Sequence, residues 1–227
     1  MKLLNQKNIC FVLILTLFYF KNSQAQTKVF SEAKGSRAAD NKIYDYEKWF
    51  FSIGKDKYEI NKSGRGKRMK ENSSVSTFRF SIEDADYIDR IIYFAEYKND
   101  LLLVGELSFG LDGGGFIIRL DGKTLKTKWR TDISALNIAQ GLIEDNATYL
   151  AGVGFVSKIS LETGKYIWKH DDLYRKYKES GAFNVFEIPK IEQNIITFTE
   201  NQDMYKRPQN IIKFNKTDGK VIEVKVN

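Results

Sequence analysis

The stretches GFIIRLDGKTLKTKWR (115–130) and GFVSKISLETGKYIWK (154–169) are two copies of one pattern, 39 residues apart and aligned without a gap. Five of their sixteen positions are identical, and four more are conservative replacements. In each copy an apolar run leads into a polar turn, and a short segment then ends in Trp and a basic residue. A repeat of about 40 residues with strand-like content predicts the blades of a propeller or of a related array.

The repeat extends in both directions along the chain. Two further apolar runs precede each copy, at 90–97 and 101–105 before the first and at 135–143 and 149–152 before the second. Four short strands per unit make one antiparallel blade. A looser third copy occupies 210–226, and its preceding strands are expected at 183–188 and 194–198.

A weaker unit comes first, with a long polar insertion at 64–74. The sequence therefore predicts an all-β fold of about four propeller-like, four-stranded antiparallel blades in a single domain at 40–227. The expected units are 40–84, 86–134, 135–182 and 183–227.

The segment ISLETGKYIWK (159–169) resembles the repeat of quinoprotein-type propellers, also called the PQQ-like repeat, and 116–130 and 211–224 follow it more loosely. The resemblance implies that Trp129 and Trp168 dock between neighbouring blades. Members of that family usually have seven or eight blades, which need more residues than this chain has. The chain is therefore expected to be a short or partial β-propeller. It closes as four blades, pairs with a second copy, or remains open. Because an open array must cover its end faces, closure or a homodimer is favoured.

The first 25 residues have the pattern of a secretory signal peptide. Lys2 and Lys7 precede an apolar run at 9–20, and Ala25 ends a small-residue cleavage site. An uncleaved anchor is the alternative, but 12 apolar residues are fewer than the roughly 20 that cross a bilayer. We expect a secreted or periplasmic protein with no transmembrane segment after cleavage and with a short N-terminal segment at 26–39. The single cysteine, Cys10, leaves with the signal.

The formal charge of +7 falls to +4 once three lysines leave with residues 1–25. This mild excess favours a solvated basic surface over a dedicated acidic partner.

Few motifs in the sequence indicate catalysis or cofactor binding. The family resemblance suggests a quinone-dependent dehydrogenase, but the calcium and quinone residues of such enzymes match no motif here, and no adjacent Cys pair exists. The single histidine, His170, has two interpretations: a general base, or a polar loop residue beyond a strand. We favour the loop residue. The sequence predicts no catalytic residue, no metal ligand and no cofactor.

Three segments are predicted to be loops that form a partner surface: 62–74, 108–115 and 170–182. The first holds five basic residues in KSGRGKRMK. An acidic protein, a lipid headgroup layer and a polysaccharide are its candidate partners, whereas nucleic acid is not expected for an exported protein. The candidate residues are Arg65, Lys67, Arg68, Lys70, Asp112, Tyr174, Arg175 and Tyr177.

The function predicted from these features is that of an exported, non-catalytic binding or scaffold protein for an unidentified protein or glycan. A quinone- or metal-dependent periplasmic enzyme and an immunity-type inhibitor of a toxin are the alternatives. If 64–74 is an insertion, deletion of 64–73 leaves folding intact.

Overall fold

The computed structural model describes residues 28–29, 36–38, 48–82, 85–109, 112–139, 141–173, 185–201 and 208–226. They contain 18 strands, which form four separate antiparallel sheets. This confirms the all-β, propeller-like fold predicted from the repeat. In the described part of the chain, no helix has the length and apolarity needed to cross a membrane.

Each sheet is one blade, and the blades follow one another along the chain. Two short strands come first, β1 (Lys28–Val29) and β2 (Ser36–Ala38). Blade 1 contains β3 (Lys48–Ile53), β4 (Asp56–Asn61), β5 (Arg65–Met69) and β6 (Val75–Arg79). Blade 2 contains β7 (Tyr87–Tyr97), β8 (Asp100–Phe109), β9 (Asp112–Leu120) and β10 (Thr127–Ile133).

Blade 3 contains β11 (Leu142–Glu144), β12 (Ala147–Gly152), β13 (Phe155–Ser160) and β14 (Tyr166–His170). Blade 4 contains β15 (Lys190–Glu192), β16 (Ile195–Thr199), β17 (Asn210–Asn215) and β18 (Val221–Val226). The two N-terminal strands add a fifth strand to two of the sheets, because β1 pairs with β11 and β2 pairs with β3.

Three sequence-based assignments were wrong. The predicted insertion at 64–74 contains β5, which pairs along its length with β4 and β6. The predicted glycine-rich loop at 108–115 continues strands β8 and β9, with Gly113 opposite Ser108. Blade 4 begins at Lys190 rather than within 183–188, where Phe186 forms an isolated bridge to Glu200.

The hydrophobic core consists of three clusters, and each lies between consecutive blades. Ile60 and Phe116 belong to the cluster of blades 1 and 2, Ile117 and Phe155 to that of blades 2 and 3. The third cluster joins blades 3 and 4. Among the described residues no core cluster joins blade 4 to blade 1. Closure as four blades, pairing with a second copy and an open array remain the alternatives.

A side-chain clamp holds blade 2 to the turn between β13 and β14 of blade 3. The indole N–H of Trp129 donates to the carbonyl of Leu161 at 3.2 Å, and Arg119 Nη1 donates to the same carbonyl at 2.6 Å. Thr131 Oγ1 donates to the carbonyl of Gly164 in the same turn. We term this set of an indole, a cation and a third donor the interblade clamp.

The interblade clamp recurs between blades 3 and 4. The indole of Trp168 and the ammonium of Lys158 donate to the carbonyl of Lys216 at 3.2 and 3.0 Å. His170 Nε2 donates to the carbonyl of Gly219 at 2.8 Å. The repeat in sequence is therefore a repeat of one docking geometry, and His170 lies in strand β14 rather than in a loop.

Blades 1 and 2 are joined by a variant of the interblade clamp that has no tryptophan. Arg68 of β5 donates to the carbonyls of Gly122 and Lys123 at 2.5 and 3.1 Å. Gly122 is equivalent to Leu161 in the 39-residue repeat. Leu125 takes the position of Gly164, and its buried side chain belongs to the core cluster between blades 1 and 2.

In the part of the chain that the structure describes, no interblade clamp forms at the outer face of blade 4. Lys213 and Glu223 occupy the positions that Lys158 and Trp168 occupy in blade 3. They form an ion pair with each other at 2.5 Å, and both are about half exposed. Lys213 is therefore paired within blade 4 instead of reaching the turn of another blade.

Candidate binding cleft

A cleft of about 540 Å³ opens at the end of the array opposite the clamp turns. We term this end the cleft end; β7 begins there, and the link from blade 2 to blade 3 follows β10 there. Four chain segments line the cleft: the start of β7, the link from blade 2 to blade 3, the segment that precedes β15, and the residues that follow β16. The lining residues are Arg90, Ile91, Ile92, Asn137, Ile138, Ala139, Val185, Phe186, Glu187, Ile188 and Asn201.

A buried carboxylate fixes the floor of the cleft. Glu106 accepts hydrogen bonds from Arg90 Nε at 2.6 Å and Arg90 Nη2 at 2.9 Å, a bidentate geometry that fixes both groups. The backbone N–H of Ile138 donates to the same carboxylate at 2.6 Å, and Arg90 Nη2 also donates to the carbonyl of Ile138 at 3.2 Å. These four contacts join β7 and β8 to the link that follows blade 2, so the floor fixes this link against blade 2.

Backbone pairing fixes the blade 4 wall of the cleft. The N–H of Glu187 donates to the carbonyl of Thr199 at 2.7 Å, and the N–H of Asn201 donates to the carbonyl of Val185 at 2.6 Å. The side chain of Phe186 packs edge-on against Phe198 in the core. The wall is therefore an ordered extension of blade 4.

The lining of the cleft combines apolar and polar groups. Ile188 is 36% exposed although it is a large aliphatic side chain. Asn137, Glu187 and Asn201 supply amide and carboxylate groups around it. Such a mixture can hold an apolar group and hydrogen-bond its polar edge, as ligand clefts generally do.

A second hollow, of about 440 Å³, lies between blades 2 and 3 and is lined in part by Phe109, Asp132 and Tyr166. The hydroxyl of Tyr166 donates to the carbonyl of Asp132 at 2.7 Å. Burial, assisted by the nearby Asp132 and Asp171 carboxylates, raises the pKa of Tyr166 to about 12. The phenol therefore remains a neutral donor, and we assign the hollow a packing role.

The structure separates the four basic residues that the sequence grouped together. Arg65 and Lys67 are exposed on β5, and Lys70 is exposed just after it. Arg68 is only 6% exposed and belongs to the clamp between blades 1 and 2, so its place in an exposed surface was wrong. Since β5 begins at the cleft end, Lys70 lies at the opposite end from Arg65.

The other predicted surface residues fall partly outside the described structure. Asp112 is the first residue of β9 and pairs with Phe109 of β8. Tyr174, Arg175 and Tyr177 lie outside the described residues.

The cleft itself was missed at the sequence level. Arg90, Ile138 and Phe186 belong to no motif and lie in three different units. One signal was available, because Glu106 is a single acid inside the apolar run LLLVGEL (101–107). A carboxylate in such a run must find a partner when it is buried.

The described residues contain no group of three or more His, Cys, Asp or Glu side chains arranged to hold a metal ion. No protein-family model matches the sequence, and no curated protein matches it.

Several solved structures share the backbone arrangement at 10% sequence identity. BamB from Moraxella catarrhalis matches with a TM-score of 0.44 over 87% of this chain and 76% of that chain. The quinohemoprotein alcohol dehydrogenase ADHIIG from Pseudomonas putida HK5 matches with a TM-score of 0.48, over 86% and 36% of the two chains. A europium-containing methanol dehydrogenase matches with a TM-score of 0.44, over 88% and 44%. The chain thus spans less than half the length of either dehydrogenase.

Proposed function

We propose that the chain is an exported, non-catalytic scaffold that binds a protein or glycan partner in the cleft. The observation that carries this proposal is the construction of the cleft from blade 2, the link that follows it and the segments beside β15 and β16 of blade 4, with Glu106 holding its floor. A site fixed by backbone pairing and by the contacts of Glu106 loses little conformational freedom when it binds, which favours recognition.

The interblade clamps lie at the opposite end of the array, and their position supports the same function. Trp129 and Trp168 tie each blade to the next through turns, so the cleft end is free to present loops and links. Rigid scaffolds with working loops at one end are a common arrangement for recognition. Export is proposed on the signal-like pattern of residues 1–25.

A site-specific crosslink tests the proposal directly. Cys10 is the single cysteine of the chain, so Cys10→Ser with Asn137→Cys leaves one attachment point for a photo-crosslinker, at the cleft rim. Ile167→Cys in the same background gives a matched attachment point away from the cleft, since Ile167 is 49% exposed on β14. We expect the partner to be captured from the Asn137→Cys position only.

The captured partner is then purified and its affinity is measured against two substitutions. Ile188→Glu places a charge in the cleft and is expected to weaken binding by about tenfold or more, whereas Ile167→Glu is expected to leave it unchanged. Equal capture from both positions, or equal affinity of both variants, would contradict the proposal.

A further inference from the structure

On the outer face of blade 1, which no other blade of the described structure covers, four cations line one groove. Pairing of β5 with β6 places Arg65 directly opposite Arg79, and Lys67 opposite Thr77. On the other side of β5, Lys67 lies opposite Glu59 of β4. Lys48 of β3 completes the set. Because residues two apart in a strand face the same way, these side chains share one face.

One carboxylate faces the four cations. Lys48 Nζ pairs with Glu59 at 2.9 Å. In the part of the chain that the structure describes, Arg65, Lys67 and Arg79 make no ion pair, and all three are exposed. Like charges directly opposite each other across two strands are destabilising, so the Arg65–Arg79 pair carries a cost that a bound anion removes.

A groove of about 630 Å³ runs over this face. Its lining residues are Lys48, Glu59, Asn61, Arg65, Gly66, Lys67, Thr77, Phe78 and Arg79. The single aromatic side chain, Phe78, is buried and packs over Gly66. The accessible groups of the groove are therefore ammonium, guanidinium, amide and hydroxyl groups, together with the carboxylate of Glu59.

We propose that this groove binds an acidic polysaccharide, at a site separate from the cleft. Lys67 lies about 7 Å along β5 from the Arg65–Arg79 pair. The groove therefore offers cations at intervals along its length. A linear polymer with regularly spaced carboxylates or sulfates complements that arrangement. A protein partner needs apolar or aromatic anchors, and a membrane surface needs apolar side chains that enter the bilayer, and the groove offers neither.

Binding of the full chain to polygalacturonate and to dextran sulfate tests the proposal, with neutral dextran as the uncharged reference. The test variant is Arg65→Gln/Lys67→Gln/Arg79→Gln. The matched control is Lys126→Gln/Lys190→Gln/Lys225→Gln, which removes the same charge from exposed positions elsewhere. We expect wild type and the control to bind at least one of the two acidic polymers. The test variant is expected to lose about tenfold or more in affinity for that polymer, and added salt to weaken the wild-type binding.

Thermal unfolding of both triple variants confirms that each is folded before binding is compared. Equal losses in the two variants would mean that net charge alone drives binding and would overturn the proposal. Absence of wild-type binding to both acidic polymers would overturn it as well. So would tighter groove-dependent binding to single-stranded DNA or to vesicles of phosphatidylglycerol. Because the cleft residues are untouched, failure here leaves the scaffold function to its own test.

Discussion

Leu125 and Gly164 occupy the same position in consecutive copies of the repeat and share a left-handed backbone, with φ of 61° and 73°. At Gly164 the ring of Trp129 lies where a side chain would project, since a Cβ there would be 2.6 Å from the indole. Blade 1 has no tryptophan at the position that corresponds to Trp129, and the side chain of Leu125 fills the interface instead. One turn geometry therefore serves two ways of packing a blade against its neighbour.

Gly164→Ala is expected to lower the free energy of unfolding by about 2–5 kcal/mol, because it adds both left-handed strain and overpacking against Trp129. Gly54→Ala is the matched control. Gly54 has a φ of 57°, and a Cβ added there would have no neighbouring atom within 4 Å, so only the backbone cost of about 1 kcal/mol applies. Urea unfolding of both variants measures the difference, and equal losses would show that Trp129 moves aside without cost.

Leu125→Ala is expected to destabilise the protein by about 2–4 kcal/mol, because it leaves a cavity between blades 1 and 2. Leu136→Ala serves as control, since Leu136 is exposed, and its effect is expected to be within about 0.5 kcal/mol. A small effect at Leu125 in denaturant unfolding would mean that Arg68 and the surrounding core hold the interface without it.

Acid is expected to weaken the contact between blades 2 and 3 through Asp100. Burial raises the pKa of this carboxyl, but hydrogen bonds from Lys128, the Gly122 N–H and Arg119 outweigh burial and lower the net pKa below 3.8. A pKa depressed in the folded state contributes stability above the unfolded value, and this contribution disappears as pH falls through the folded value.

Comparison of wild type with Asp100→Asn isolates that contribution. The stability gap between the two proteins is expected to be largest near about pH 7 and to shrink toward about pH 3, as urea unfolding at each pH would show. A gap that is constant with pH would contradict the assigned role of Asp100.

Deletion of 64–73 is expected to abolish cooperative folding, contrary to the expectation from the sequence alone. The deleted residues include all of β5, which pairs with two neighbours, and Arg68, which holds blade 2. Circular dichroism and thermal unfolding of the deletion test this. Arg65→Gln/Lys67→Gln is the control and is expected to unfold like wild type, because both side chains are exposed. A cooperative transition in the deletion would show that blade 1 tolerates three strands.

Much of the architecture was readable from the sequence because interior blades are buried on both faces. Strands such as β8 and β12 are then continuous apolar runs, and Trp129 and Trp168 mark the ends of their units. The third strand of blade 1 was missed for the opposite reason. One face of β5 meets solvent, so RGKRM (65–69) has the polarity of a loop.

The cleft could not be predicted from the sequence, because it depends on how the strands are connected and paired. Its floor joins Glu106 to Arg90 and Ile138, whose partners are fixed by strand register and by the path of the next link. A local pattern encodes neither of these. The repeat could predict the blades, but the groups that the blades bring together became visible only in three dimensions.

Since every clamp joins a blade to the next one in sequence, the array has a direction of assembly. Trp129 contacts its turn 32 residues later in the chain, and Trp168 contacts its turn 48 residues later. Apart from the short pairing of β1 with β11, each blade can pack against the preceding blade while the rest of the polypeptide is still emerging. The growing end then exposes at most one uncovered blade face at a time.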